Sequence, residues 1–233
     1  MAEIPYGRVA EVAARWRPQG PDEAPAVILV HGEELLTRQV LDTLLERLLA
    51  GTSRAVGYEP LEGLNSNVPE ALARLNTYSL LAGPRVVALT EARVFYGRQD
   101  QSKLRDKVRK AAREGQIPKA ARYLMDLLGM AGLEMADVRP PAGDGADALG
   151  FTGDDRGWLD PVLAHAREAG LQPAAGQDPE KELLEAMAKG FPPGHRLLIT
   201  ADSVDKRRKL YKQIQQSGLV VDCSVPRGDR KAD

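Results

Sequence analysis

A chain of 233 residues with a formal net charge of −1 can bury a substantial core, and it is too evenly charged to carry a dominant field toward nucleic acid or membrane. Its single cysteine, Cys223, excludes an internal disulfide framework and a cysteine zinc site, and it fits a reducing cytoplasm. Residues 1–20 interrupt their apolar positions with Glu3, Arg8, Glu11, Arg15 and Arg17, which argues against a signal peptide; no apolar run approaches membrane-spanning length, and a cytoplasmic location is expected.

In chain order, the first element is the continuous apolar run Ala26-Val27-Ile28-Leu29-Val30, which suits a strand buried on both faces of a parallel sheet. His31-Gly32-Glu33-Glu34 makes a tight turn. Leu35, Leu36, Val40, Leu41, Leu44, Leu45 and Leu48 then recur at helical spacing and predict a helix over 33–50, stopped by Gly51. Strand, glycine turn and helix in that order is how a phosphate-binding P-loop begins. Such a loop needs several glycines to face backbone N–H groups to the phosphates, a lysine to reach them, and a Ser or Thr for magnesium. Here there is one glycine, two carboxylates at the helix entrance, and no Gly-Lys-Ser/Thr anywhere. Glu33 and Glu34 suit the positive end of the helix dipole themselves and would repel a triphosphate. The expectation is an ATPase-type scaffold in non-catalytic use, with no cofactor of its own.

Residues 54–58 are predicted as a second strand, ending in the turn-like Glu59-Pro60-Leu61-Glu62-Gly63. Asn67-Val68-Pro69-Glu70 reads as a helix start, and that helix is expected to run to about Tyr78. A third strand is predicted over 85–89, a fourth over 195–200 and a fifth over 219–223. A charged helix over 203–217 precedes the last, stopped by Gly218. Between the third and fourth strands the alternation breaks. Helices are predicted over 102–114, 117–130, 158–169 and 178–189, with a loop rich in Pro, Gly and Asp over 139–157. The pattern predicts an α/β fold with a parallel five-stranded sheet flanked by helices. The discontinuous sheet domain would be 1–95 and 191–226, with a helical insertion over 96–190.

Two segments invite functional readings. In Ser79-Leu80-Leu81, just before the Gly83-Pro84 stop, Leu81 would lie roughly opposite the core-facing Leu72 if the preceding helix continued. Either the chain has already turned and both leucines pack beneath the sheet, or they form an exposed apolar plug for a partner's pocket. The stretch 98–122 is rich in Lys and Arg. Lys103, Arg105, Lys107, Arg109 and Lys110 are its candidate nucleic-acid contacts, although no aromatic cluster accompanies them for base stacking, and a solvated helix face is the simpler reading. Asp205-Lys206-Arg207-Arg208-Lys209 likewise reads as a solvated or partner-facing surface. His31, His165 and His195 are scattered, with no metal-ligand spacing and no catalytic motif. They read as surface or capping histidines, and Cys223 as a small core residue.

Taken in order, several segments resemble one family. They are Val27-Ile28-Leu29-Val30-His31-Gly32-Glu33-Glu34, Asn76-Thr77-Tyr78-Ser79-Leu80-Leu81, Arg85-Val86-Val87-Ala88-Leu89, His195-Arg196-Leu197-Leu198-Ile199-Thr200-Ala201, Asp205-Lys206-Arg207-Arg208-Lys209-Leu210 and Gly218-Leu219-Val220-Val221-Asp222. The family is the delta subunit of bacterial DNA polymerase III, in its N-terminal portion. The resemblance covers about 26–91 and 191–225. It implies an AAA+-like, P-loop-type domain that has lost ATP binding and serves DNA replication as part of the sliding-clamp loader. It implies a non-catalytic subunit of the polymerase holoenzyme that binds the beta sliding clamp and opens the ring, beside other loader subunits and primed DNA, and away from membranes. The family's clamp-binding element falls on Ser79, Leu80 and Leu81, which favours the plug, with Leu81 where the family carries Phe. The family continues into a helical domain and a collar, so residues 227–233 are expected to begin a linker. Its insertion is smaller than 96–190. The alternatives from the residues alone are a divergent AAA+ ATPase and a DNA-binding module using the basic insertion.

Overall fold

The computed structural model describes residues 3–17, 23–77, 83–96, 100–138, 146–147, 149–173 and 178–225. The chain divides into two compact units. The first comprises Met1–Gly63, Asn67–Phe95 and Glu180–Asp233, and the second Leu64–Ser66 and Tyr96–Pro179.

The first unit is built on six parallel strands: β1 (Glu3–Pro5), β2 (Val27–Gly32), β3 (Tyr58–Glu62), β4 (Arg85–Thr90), β5 (His195–Ala201) and β6 (Leu219–Cys223). They lie in the order β1-β6-β2-β5-β4-β3, every pair parallel. Its helices are α1 (Val9–Ala14), α2 (Glu34–Leu48), a short turn α3 (Arg54–Gly57), α4 (Val68–Asn76), α8 (Pro179–Lys189) and α9 (Lys209–Ser217). Both faces are covered, because successive residues of a strand point to opposite sides. Val27, Leu29, Val87, Leu89, Leu197, Ile199 and Val220 share one core with α4, α8 and α9. Ile28, Val30, Val86, Ala88, Leu198 and Val221 share the other with α1 and α2.

The side on which each helix packs follows the direction its connection travels. The two connections running toward β3, out of β1 and β2, carry α1 and α2 on the Ile28 face. The three running toward β1, out of β3, β4 and β5, carry α4, α8 and α9 on the Val27 face. All five crossovers therefore have one hand, as a twisted parallel sheet requires. Adjacent strands β2 and β5 send their helices to opposite faces, which makes their carboxyl ends the switch point where such sheets open a crevice.

Several expectations need correction. The sheet has six strands where five were expected, because β1 adds an edge beside β6. The second strand is Tyr58–Glu62, not 54–58; Arg54–Gly57 is helical, and the segment read as a turn is the strand. Pro60 is tolerated there because β3 is an edge strand paired only with β4. Residues 203–208 precede α9 instead of belonging to it. The helix Pro179–Lys189, placed within the insertion by sequence, buries Leu183 in the sheet's core.

The second unit packs α5 (Gln101–Arg113), α6 (Ile117–Ala131) and α7 (Arg156–Glu168) around Leu104, Val108, Leu124, Leu127, Leu128, Val162 and Leu163. Phe151 meets Trp158 edge-on with ring centroids 5.4 Å apart. Among the described residues, no helix is long and apolar enough to cross a membrane.

Candidate functional site

The turn after β2 sits at the switch point. Gly32 has φ +126°, and a Cβ on it would lie 2.5 Å from the carbonyl carbon of Cys223. Only glycine lets β2 stay paired to β6 through this turn, where Gly32 is opposite Cys223. The Glu33 N–H donates to the Cys223 carbonyl at 3.2 Å. Glu33 is extended and caps α2, its Oε2 accepting from the Leu36 N–H at 3.0 Å. A P-loop turns such donors toward phosphate. Here the neighbouring strand takes one and the helix's own carboxylate takes another, placing a fixed negative charge at the positive end of α2.

Beside this turn lies a charged cluster drawn from three neighbouring strands and the loop before α9. His31 is buried, and its Nδ1 faces Asp222 Oδ1 at 4.0 Å. Lys206 Nζ donates to Glu3 Oε1 at 2.5 Å and to Asp222 Oδ2 at 3.3 Å. Gln215 Nε2 donates to Glu3 Oε2 at 3.3 Å. The Tyr211 ring meets the imidazole edge-on, centroids 6.1 Å apart. Burial holds the His31 imidazole below its ordinary pKa, the Asp222 charge only partly offsetting it. Burial alone would raise the Asp222 carboxyl, but bonds from Ser224 and the nearby His31 and Lys206 bring it down to about 2. Burial, with hydrogen bonding to Glu3 and its charge, pushes the Tyr211 phenol up to about 12.

His31 thus departs from the surface or capping role expected of the histidines, whereas His195 meets the last turn of α4 and His165 is half-exposed in the last turn of α7. His31 and His195 are buried, and His195 Nδ1 lies 2.6 Å from the Leu75 carbonyl oxygen. Sequence reasoning missed the surroundings of His31, since Glu3, Lys206 and Asp222 are remote from it along the chain. The polar Asp222 inside an otherwise apolar strand was the one available signal.

Ser79, Leu80 and Leu81 lie outside the described residues. The elements on either side are braced together. Arg85, first in β4, donates from Nη1 to the Thr77 carbonyl at 2.8 Å and the Arg74 carbonyl at 3.2 Å, both at the end of α4. Its Nη2 also pairs with Glu59 of β3 at 2.6 Å.

The five basic candidates all fall on α5, with different surroundings. Lys103 pairs with Asp100 at 2.9 Å. Arg105 Nη1 donates to the Leu149 carbonyl at 3.2 Å. Lys107 Nζ donates to the Tyr96 hydroxyl at 3.2 Å. Arg109 grips the buried Asp155 with two groups, Nε to Oδ1 at 3.1 Å and Nη2 to Oδ2 at 2.8 Å, and also reaches the Gly150 carbonyl. Lys110 is mostly exposed, 4.0 Å from Glu114. Arg105 and Arg109 thus brace their own unit's loops.

No protein-family model matches this chain, and no curated protein matches it. The class that the fold defines is an α/β protein with a six-stranded, all-parallel sheet flanked by helices.

Proposed function

We propose that this chain is a clamp-loader subunit of the delta type, one that binds a sliding clamp and helps to open it without hydrolysing ATP. The observation that carries the reading is a nucleotide-type switch point whose helix N-terminus is capped by Glu33. Counted without β1, the strands run fifth, first, fourth, third, second across the sheet, the order of AAA+ domains. The anion position of such a domain is here met by a carboxylate, which disfavours the divergent-ATPase reading. The engagement of Arg105 and Arg109 within their own unit disfavours the reading of α5 as a nucleic-acid arm.

In this reading Ser79, Leu80 and Leu81 are the clamp-binding element. Arg85 gives the segment a stiff base by tying the end of α4 to the start of β4. Two leucines entering an apolar pocket supply affinity as buried interface anchors do. Tighter binding to an opened ring than to a closed one offsets the cost of opening, so no nucleotide chemistry is needed in this subunit. The test is binding to the purified sliding clamp of the same organism. The wild type binds, and Leu80→Ala/Leu81→Ala weakens binding about a hundredfold or more. Unchanged affinity in that variant would refute the site.

A further inference from the structure

The cluster around His31 contains more ligand chemistry than an ion pair needs. Among the described residues, Glu3, His31 and Asp222 each offer one ligand atom, and these atoms all lie within 4.8 Å of one another. They come from β1, β2 and β6, three adjacent strands. Two carboxylates face one ammonium, so Lys206 leaves one negative charge uncompensated beside the buried imidazole.

Two further observations suit a ligand site. His31 Nε2 is buried without a hydrogen-bond partner, while Nδ1 and Asp222 Oδ1 face each other at 4.0 Å, beyond hydrogen-bond reach. Tyr211, only 2% exposed, has its hydroxyl next to the Glu3 carboxylate, close enough for the two to interact. It is placed to orient a carboxylate or a metal-bound water, as outer-shell donors do. Lys206, by contrast, has a side chain 51% exposed and has solvent to move into, although its bonds to Glu3 and Asp222 hold its pKa above the usual lysine value.

We propose that Glu3, His31 and Asp222 form a site for a divalent transition metal of the zinc class, which takes the place of the Lys206 ammonium. One imidazole and two carboxylates leave a fourth position for water. Zinc bonds of about 2.0–2.2 Å would draw the ligand atoms to within roughly 3.5 Å of one another. Glu3 and Asp222 are both partly exposed, so the closure falls on side chains free to make it. Bound there, the metal clasps β1 to the sheet. This proposal is independent of the clamp reading, and its test involves no clamp.

The test is calorimetric titration of the metal-stripped full chain with Zn²⁺, circular dichroism confirming that each variant is folded. The wild type takes up one zinc per chain. Lys206→Met, which removes the competing cation, binds about tenfold tighter or better; Glu3→Gln and Asp222→Asn each bind about tenfold weaker or worse. X-ray absorption reports one imidazole among oxygen ligands and no sulfur. Zinc affinity unaffected by Glu3→Gln and Asp222→Asn would place the metal elsewhere and overturn the proposal. So would binding confined to Lys206→Met, or binding by neither protein.

Discussion

Glu33 accepts a hydrogen bond from the N–H of Leu36 at 3.0 Å. That contact puts a carboxylate where a nucleotide-binding turn of this geometry would put a phosphate, and it is also the N-cap of α2. Replacing Glu33 with Ala should cost about 1 kcal/mol of folding stability, the worth of a side-chain cap. Glu33→Ser, which restores an acceptor, should recover most of it. Urea unfolding of the three proteins checks this, and equal midpoints would mean the cap contributes nothing.

Gly32→Ala should cost about 2 kcal/mol or more, because φ +126° is closed to alanine and its Cβ would meet the Cys223 backbone. The same unfolding measurement decides it, and a neutral substitution would mean that the turn relaxes easily.

Asp155 provides the pH test. Burial alone would raise its carboxyl, but the bonds from Arg109 and from the Thr152 N–H outweigh that, and the net shift is downward. A folded-state pKa below the unfolded value means the stabilisation is fully present above the ordinary carboxylate range, near about 4. It is lost as pH falls through the lower, folded value. Asp155→Asn removes the charge that Arg109 grips and should cost about 2 kcal/mol at pH 7. Unfolding curves of the two proteins should converge on acidification; a gap that does not narrow as the pH falls would contradict the assignment.

Burial pushes the Cys223 thiol up to about 11, so little of it is thiolate at pH 8. Folded protein should react with a thiol reagent orders of magnitude more slowly than protein in urea. Comparable rates would mean that β6 opens readily.

How far the sequence carried depends on where each strand lies. β2, β4, β5 and β6 are interior strands, and the apolar runs at their centres were readable in chain order. β1 and β3 are the two edges. Three residues ending in Pro5 give no periodicity, and Pro60 within the half-exposed Tyr58–Glu62 looks like a turn because an edge strand can spare an N–H. The start of α9 was misplaced because the Asp205 side chain, accepting from the Arg207 N–H at 3.0 Å, holds residues 205–208 in a turn of their own. The Glu33 cap was foreshadowed by two carboxylates at a helix entrance. The cluster around His31 was not, since Glu3 and Asp222 meet only once β1 and β6 are paired.

Clamp binding through Leu80 and Leu81, by a subunit that needs no nucleotide, is what we propose for this chain. Its most direct test is affinity for the organism's purified sliding clamp, measured without nucleotide and with saturating ATP, for the wild type and for Leu80→Ala/Leu81→Ala. The wild type should bind, ATP should leave that binding unchanged, and the double variant should lose it. A folded wild type that fails to bind, or a double variant that binds as the wild type does, would contradict the proposal.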